Sequence, residues 1–124
     1  MPKIKSKIDP LSEKYISNFS YHKSVLDELI SLTEKIKLMG PIKRIEKHKE
    51  RGKLTARERI NLLKDPESNF LEFSELAGYN VYNSEVPAAG FISCLIKIHK
   101  IQCVVVANDG TVKGGTYFPL SVKK

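Results

Sequence analysis

Residues 107–116, ANDGTVKGGT, set Gly110, Gly114 and Gly115 beside Asp109, Thr111 and Lys113, directly after a run of valines. Glycine tolerates positive φ and lets backbone N–H groups approach a ligand closely, so such a cluster after a strand suits an oxyanion or a phosphate. The same residues also suit an ordinary strand-ending turn, with Asp109 as its cap. A second group is cationic: Lys53, Arg57 and Arg59 crowd a helix start whose Thr55 and Glu58 have capping-box spacing. A helix N-terminus already carries partial positive charge, so this crowding is unfavourable alone and a bound anion would relieve it. Pairing of Arg57 or Arg59 with Glu58, Asp65 or a more distant carboxylate would relieve it too.

Other reactive types carry less. His22 lies on an apolar stripe with no second metal ligand near it, which reads as a packed or edge histidine, and no metal site is expected. GTVKGGT lacks the G-K-[ST] ending of a phosphate-binding P-loop, so no ATP site is expected. If 91–98 and 101–106 form a hairpin around His99-Lys100, Cys94 faces Val105 and Cys103 faces Ile96. The thiols are then diagonal and stay free, in keeping with a reducing compartment.

These residues sit in 124 that hold enough apolar sequence, 41%, for one ordinary domain. The longest apolar runs fall well short of a membrane helix. MPKIKSKIDP has lysines but no apolar stretch behind them, so no secretory signal is expected and the setting is intracellular. The net charge of +7 is uneven: residues 1–64 hold 16 Lys and Arg against 8 Asp and Glu, residues 65–124 hold 5 against 6. The basic half suits an anionic partner without choosing one.

The elements that would position the candidates follow from period and punctuation. Asp9-Pro10 reads as a helix start, and Tyr15, Phe19, His22, Leu26, Leu29, Thr33 and Ile36 trace an amphipathic stripe of about six turns, which Gly40-Pro41 ends. A short helix over 41–51 has Ile42 and Ile45 inward and KRIEKHKER mostly solvated, and Gly52 closes it. The third helix begins at Thr55 with Ile60 and Leu63 as its buried side. After Asp65-Pro66 the period becomes extended: FLEFSEL reads as a strand with Leu71 and Phe73 opposite Glu72 and Ser74, followed by a loop over 80–90 and the hairpin. The near-unbroken CVVVA implies burial on both faces, yet few residues remain to cover it. The fold class expected is α/β, a helical segment over 1–64 and the start of a sheet domain over 65–124, the front piece of something larger.

RGKLTARERINLLKDPESNFLEFSELAGY resembles the opening of the carboxyltransferase (beta) subunit of biotin-dependent acyl-CoA carboxylases. EVPAAG, VVANDGTVKGGTYFPLSVKK and the SKIDPLSEKY start look most like the 3-methylcrotonyl-CoA carboxylase branch. That branch usually has alanine where Gly110 stands, and a glycine or acidic residue in the hairpin occupied here by His99-Lys100. The resemblance covers essentially all the chain, but such subunits are several times longer, with two crotonase-like domains, so these residues would be the incomplete start of the first.

The implied chemistry is carboxyl transfer from carboxybiotin to 3-methylcrotonyl-CoA in leucine degradation. A partner alpha subunit would handle biotin, ATP and bicarbonate, and beta subunits would form a homo-oligomer in bacterial cytoplasm or mitochondrial matrix. By the same resemblance Gly114 and Gly115 are nominated for backbone approach to the acyl-CoA and Lys113 for a phosphate or carboxylate contact, while the cationic crowding at the capped helix start nominates Lys53, Arg57 and Arg59 for the phosphates of coenzyme A in the intact subunit. Proton removal would fall to biotin, so no catalytic residue is assigned here. The alternatives are transfer to propionyl-, acetyl- or geranyl-CoA, or a non-catalytic assembly module built on the long helix. A nucleic-acid module fits less well, because the cations interleave with glutamates and stacking aromatics are sparse among them.

Overall fold

The computed structural model describes residues 5–124; residues 1–4, which begin the MPKIKSKIDP segment, lie outside them. The described chain forms helices α1 (Glu13–Lys37), α2 (Ile42–Glu50) and α3 (Ala56–Leu63), strands β1 (Leu71–Glu72), β2 (Phe91–Ile98) and β3 (Ile101–Asn108), and a closing helix α4 (Pro119–Lys123). Two compact units divide between Leu32 and Thr33. Ala56 and Ile60 of α3 are buried in the core of the second unit.

In the first unit, Asp9 forms a turn rather than a cap. Its Oδ1 accepts from Leu11 N at 3.0 Å, and the capping hydroxyl is that of Ser12, which accepts from Tyr15 N at 3.3 Å. The apolar stripe of α1 is real and exposed among the described residues: Phe19 is 58% exposed and Leu26 53%.

In the second unit Met39, two residues past the end of α1 and directly before Gly40, takes the left-handed conformation (φ 61°). Gly40 serves another purpose: a Cβ there would meet Thr111 Oγ1 at 2.5 Å and the Thr111 carbonyl closer still. The turn after β3 thus packs against the α1–α2 junction. Ile42 of α2 and Leu63 of α3 are exposed, against expectation, while Ile45 is half-buried and Ile60 fully buried.

The sheet is antiparallel in the order β1-β2-β3. β2 is its buried strand and β3 its open edge. Cys94 faces Val105, Cys103 faces Ile96, and both thiols are free, as the hairpin register implied. Val104 and Val106 of CVVVA are more than 60% exposed among the described residues, in line with the shortage of residues to cover that strand. β1 is inverted relative to its binary pattern: Leu71 is 55% exposed, whereas the Glu72 side chain is 1% exposed. An ion pair, described below, holds Glu72 inward and overrides the apolar alternation.

His99 and Lys100 both have positive φ, 49° and 66°, as a two-residue primed hairpin turn requires. Neither is a glycine, and Asp65 compensates: its carboxylate accepts from His99 N at 2.8 Å and Lys100 N at 2.7 Å, while Asp65 N donates to Lys97 O. Before β2, Ala88, Ala89 and Gly90 are three successive left-handed residues, fully or almost fully buried. For the two alanines, unlike the glycine, strain of this kind costs on the order of 1–3 kcal/mol each and persists only where surroundings fix it. Here Ala89 N donates to Ala77 O at 2.7 Å and Ser121 Oγ donates to Ala89 O at 2.6 Å.

Candidate functional site

The glycine turn is built outward from Asp109. Its N–H extends the hairpin by donating to Gly90 O at 3.0 Å, and its Oδ1 accepts from Thr111 N at 2.7 Å and Thr111 Oγ1 at 2.6 Å. Asp109 is 1% exposed, which fits the turn-capping role. Its second oxygen, Oδ2, is buried with no partner among the described residues. Lys113, Gly114 and Gly115 then run left-handed, with φ of 47°, 73° and 84°. Gly115 is tied down, donating to Val112 O at 2.8 Å and accepting from Asn108 Nδ2 at 3.0 Å. Gly114 is exposed and has open space where a side chain would project. Of the two nominated glycines, Gly114 is the one that presents free backbone.

The nominated cations behave differently from one another. Lys53 and Arg59 are exposed. Arg57 is drawn into a two-pronged pair with Glu72, Nη1 to Oε2 at 2.8 Å and Nη2 to Oε1 at 3.3 Å, with its guanidinium 5.9 Å from the Phe70 ring centre. The helix start is also already supplied with an anion. Thr55 N donates to Glu58 Oε2 at 2.8 Å, Glu58 N donates to Thr55 Oγ1 at 3.3 Å, and Lys49 pairs with Glu58 at 2.7 Å. Lys49 first, and Thr55 second, bring the Glu58 carboxyl down to about 2. Glu58 and Glu72 thus meet within the chain the electrostatic need that the sequence pattern left open.

A further basic group escaped the sequence reading. Arg44, Lys47, His48 and Arg51 share one face of α2 and its C-terminal cap, opposite the turn residues Gly110, Lys113 and Gly114. Between them lies a cleft of about 360 Å³ whose lining contains no carboxylate. His48 is held by contact of Nε2 with Leu54 O at 3.2 Å. The available signal was the i, i+3, i+4, i+7 spacing within KRIEKHKER, which puts these four on one side and leaves Glu46 and Glu50 off it. A second cavity, about 540 Å³, adjoins the cleft; Met39, Ile42, Ile45, Pro87 and Val112 give it an apolar lining, and Arg44 and Lys113 line both.

No group of three or more metal-ligating side chains occurs among the described residues. No described helix is long and apolar enough to cross a membrane.

Comparison with known proteins gives this geometry a context. The family model for the carboxyl transferase domain matches residues 47–124. The methylcrotonoyl-CoA carboxylase beta chain, mitochondrial, of Dictyostelium discoideum is 52% identical over 118 residues, 94% of this chain and 20% of that protein. Among solved structures, the beta subunit of P. aeruginosa geranyl-CoA carboxylase superposes with a TM-score of 0.85 at 32% identity, over 98% of this chain and 23% of that one. The transcarboxylase 12S hexamer, solved with methylmalonyl-coenzyme A bound, matches with a TM-score of 0.74 at 29% identity, over 82% of this chain and 21% of that one. The chain spans about a fifth of the length of the curated relatives it matches. Its helices and small antiparallel sheet are an incomplete part of the crotonase-like fold of carboxyltransferase subunits.

Proposed function

The chain belongs to the carboxyl transferase domain family, and from that membership we propose that it is the front part of the beta subunit of a biotin-dependent 3-methylcrotonyl-CoA carboxylase. The observation that carries the acyl-CoA branch is the 52% identity, spread over nearly the whole chain, with a methylcrotonoyl-CoA carboxylase beta chain. In the reaction carboxybiotin gives up its carboxyl group as carbon dioxide, and the ureido nitrogen so freed takes a proton from the γ-carbon of the unsaturated thioester. The dienolate so formed takes the carboxyl group that carboxybiotin releases, and the developing thioester oxyanion needs fixed N–H donors. Biotin belongs to the partner alpha subunit in this reading, so this chain's task is to receive the acyl-CoA.

The reading assigns that contact to the glycine turn, with Gly114 offering open backbone, Gly115 bracing it through Asn108, and Lys113 exposed beside them. Lys53 and Arg59 are exposed cations of the same compact unit and candidates for the coenzyme A phosphates, whereas Arg57 reaches the ligand only if it leaves Glu72. The reading further includes assembly of beta subunits with one another and with the alpha subunit, in the mitochondrial matrix or bacterial cytoplasm. Geranyl-CoA is the second substrate reading, favoured by the superposition on that enzyme's beta subunit. An assembly module without catalysis is the third, favoured by the exposed apolar face of α1.

The test is a chimera in which residues 5–124 replace the corresponding segment of the Dictyostelium beta chain, assayed with its alpha subunit for bicarbonate fixation. We expect turnover on 3-methylcrotonyl-CoA, and none from the 124-residue chain supplied with the same alpha subunit. An assembled chimera that fixes no bicarbonate, or turnover by the 124 residues without the rest of a beta subunit, would refute the reading.

A further inference from the structure

We propose that the cleft between α2 and the glycine turn is a phosphate-binding pocket, forming the anionic end of an elongated site whose other end is the adjoining apolar cavity. Its ligand class is a phosphate or pyrophosphate ester with an apolar or weakly polar extension.

The first observation is charge segregation. Four cations of the second unit pair with carboxylates: Lys35 with Glu85, Lys37 with Glu34, Lys49 with Glu58 and Arg57 with Glu72. Arg44, Lys47, Arg51 and Lys113 make no such pair among the described residues, yet all four line one concavity together with His48. Four permanent positive charges at close quarters repel one another, and a multivalent anion turns that repulsion into attraction.

The second observation is the opposite wall. Lys113 and Gly114 hold a left-handed backbone, Gly114 has nothing within 4 Å of its vacant side-chain position, and the N–H groups of both find no protein acceptor among the described residues. A phosphate oxygen can therefore approach the main chain there while arginines on α2 supply planar two-pronged donors.

The third observation is shape. A cleft of about 360 Å³ is of small-ligand size, not the long groove an acidic peptide needs. Arg44 and Lys113 stand at the junction with the larger apolar cavity, so a ligand anchored through phosphate at these two residues has its less polar part directed over Met39, Ile45 and Val112. Naming that ligand as acyl-CoA rests on the function proposed above; the phosphate assignment does not.

The experiment titrates the 124-residue chain with coenzyme A, dephospho-coenzyme A and inorganic pyrophosphate, reading heats of binding and amide shifts at low and moderate salt. We expect pyrophosphate and coenzyme A to compete and to shift the Lys113 and Gly114 amides. R44Q/K47Q/R51Q should weaken both by about tenfold or more at unchanged melting temperature, because the side chains removed are exposed and unpaired. K97Q/K123Q, which removes two exposed lysines outside the cleft lining, should change affinity less than about twofold. Equal affinity of dephospho-coenzyme A assigns the cleft to the pyrophosphate, and a selective loss assigns it to the 3′-phosphate; either supports the pocket. Coenzyme A binding untouched by the α2 variants, or lost in K53Q/R59Q instead, overturns the pocket and leaves the acyl-CoA reading standing. Pyrophosphate binding at the cleft without coenzyme A binding upholds the pocket and removes the acyl-CoA reading. No binding by any of the three probes overturns the proposal.

Discussion

Replacing Arg57 by alanine separates a structural arginine from a ligand-binding one. The Glu72 side chain is 1% exposed and that of Arg57 24%, and their two contacts lie at 2.8 and 3.3 Å. Removing one partner of a buried pair costs about 3–5 kcal/mol, because the other charge remains desolvated. The partial exposure of Arg57 admits some water to the orphaned carboxylate, which reduces the expected loss to about 3 kcal/mol. With a urea slope of about 1.5 kcal/mol/M, typical of a small domain, R57A should lower the unfolding midpoint by about 2 M. The double variant R57M/E72L removes both charges and should recover to within about 1 kcal/mol of the parent. The assay is urea unfolding followed by circular dichroism, alongside coenzyme A titration of each variant. A midpoint loss under about 0.5 M in R57A, together with a tenfold loss of coenzyme A affinity, would refute the argument and make Arg57 a phosphate ligand.

The remaining expectations concern particular contacts. Glu58, lowered from its ordinary 4.5 to about 2, stabilises α3 fully above 4.5 and loses that contribution as pH falls towards 2; the unfolding midpoints of E58Q and the parent should therefore differ at pH 6 and converge near pH 2. Asp65 is held below its ordinary 3.8, chiefly by the Lys100 amide, so D65N should likewise matter above pH 4 and cease to matter in strong acid. G40A has no room for its methyl group against Thr111 and should cost about 1–3 kcal/mol in urea unfolding, whereas G114A meets no neighbour and pays only for its positive φ, about 1 kcal/mol. A thiol reagent should modify the half-buried Cys103 in the native chain but not Cys94, which is fully buried and whose thiol burial pushes up; both should react in urea.

Local signals in the sequence were reliable where their energetics are local. The Thr55–Glu58 capping box needs four residues, and the hairpin register needs only a two-residue turn between alternating strands, so both were readable from spacing. The faces of α1, β1 and β3 were not, because which side of an amphipathic element is covered depends on what packs against it. Leu71 points outward since Glu72 is held by an arginine fifteen residues earlier, and no periodicity encodes that pairing. The cationic cleft was half legible: the spacing on α2 was visible, but the approach of Lys113 and Gly114 depends on Gly40 admitting the Thr111 backbone, a contact across 71 positions.

The two-residue turn at His99-Lys100 also sets an order in time. Ile98 and Ile101 become partners after closing the shortest loop an antiparallel pair allows, an event of about 1–10 μs for a hairpin. Leu71 finds Leu95 only across a long intervening segment, at a greater entropic cost of closure. β2 and β3 can thus pair before β1 arrives, and the Arg57–Glu72 bond, which requires β1 in place, closes late. The strained Ala88 and Ala89 then lie just before a strand already registered, so the chain meets their unfavourable backbone angles once there is a partner to hold them.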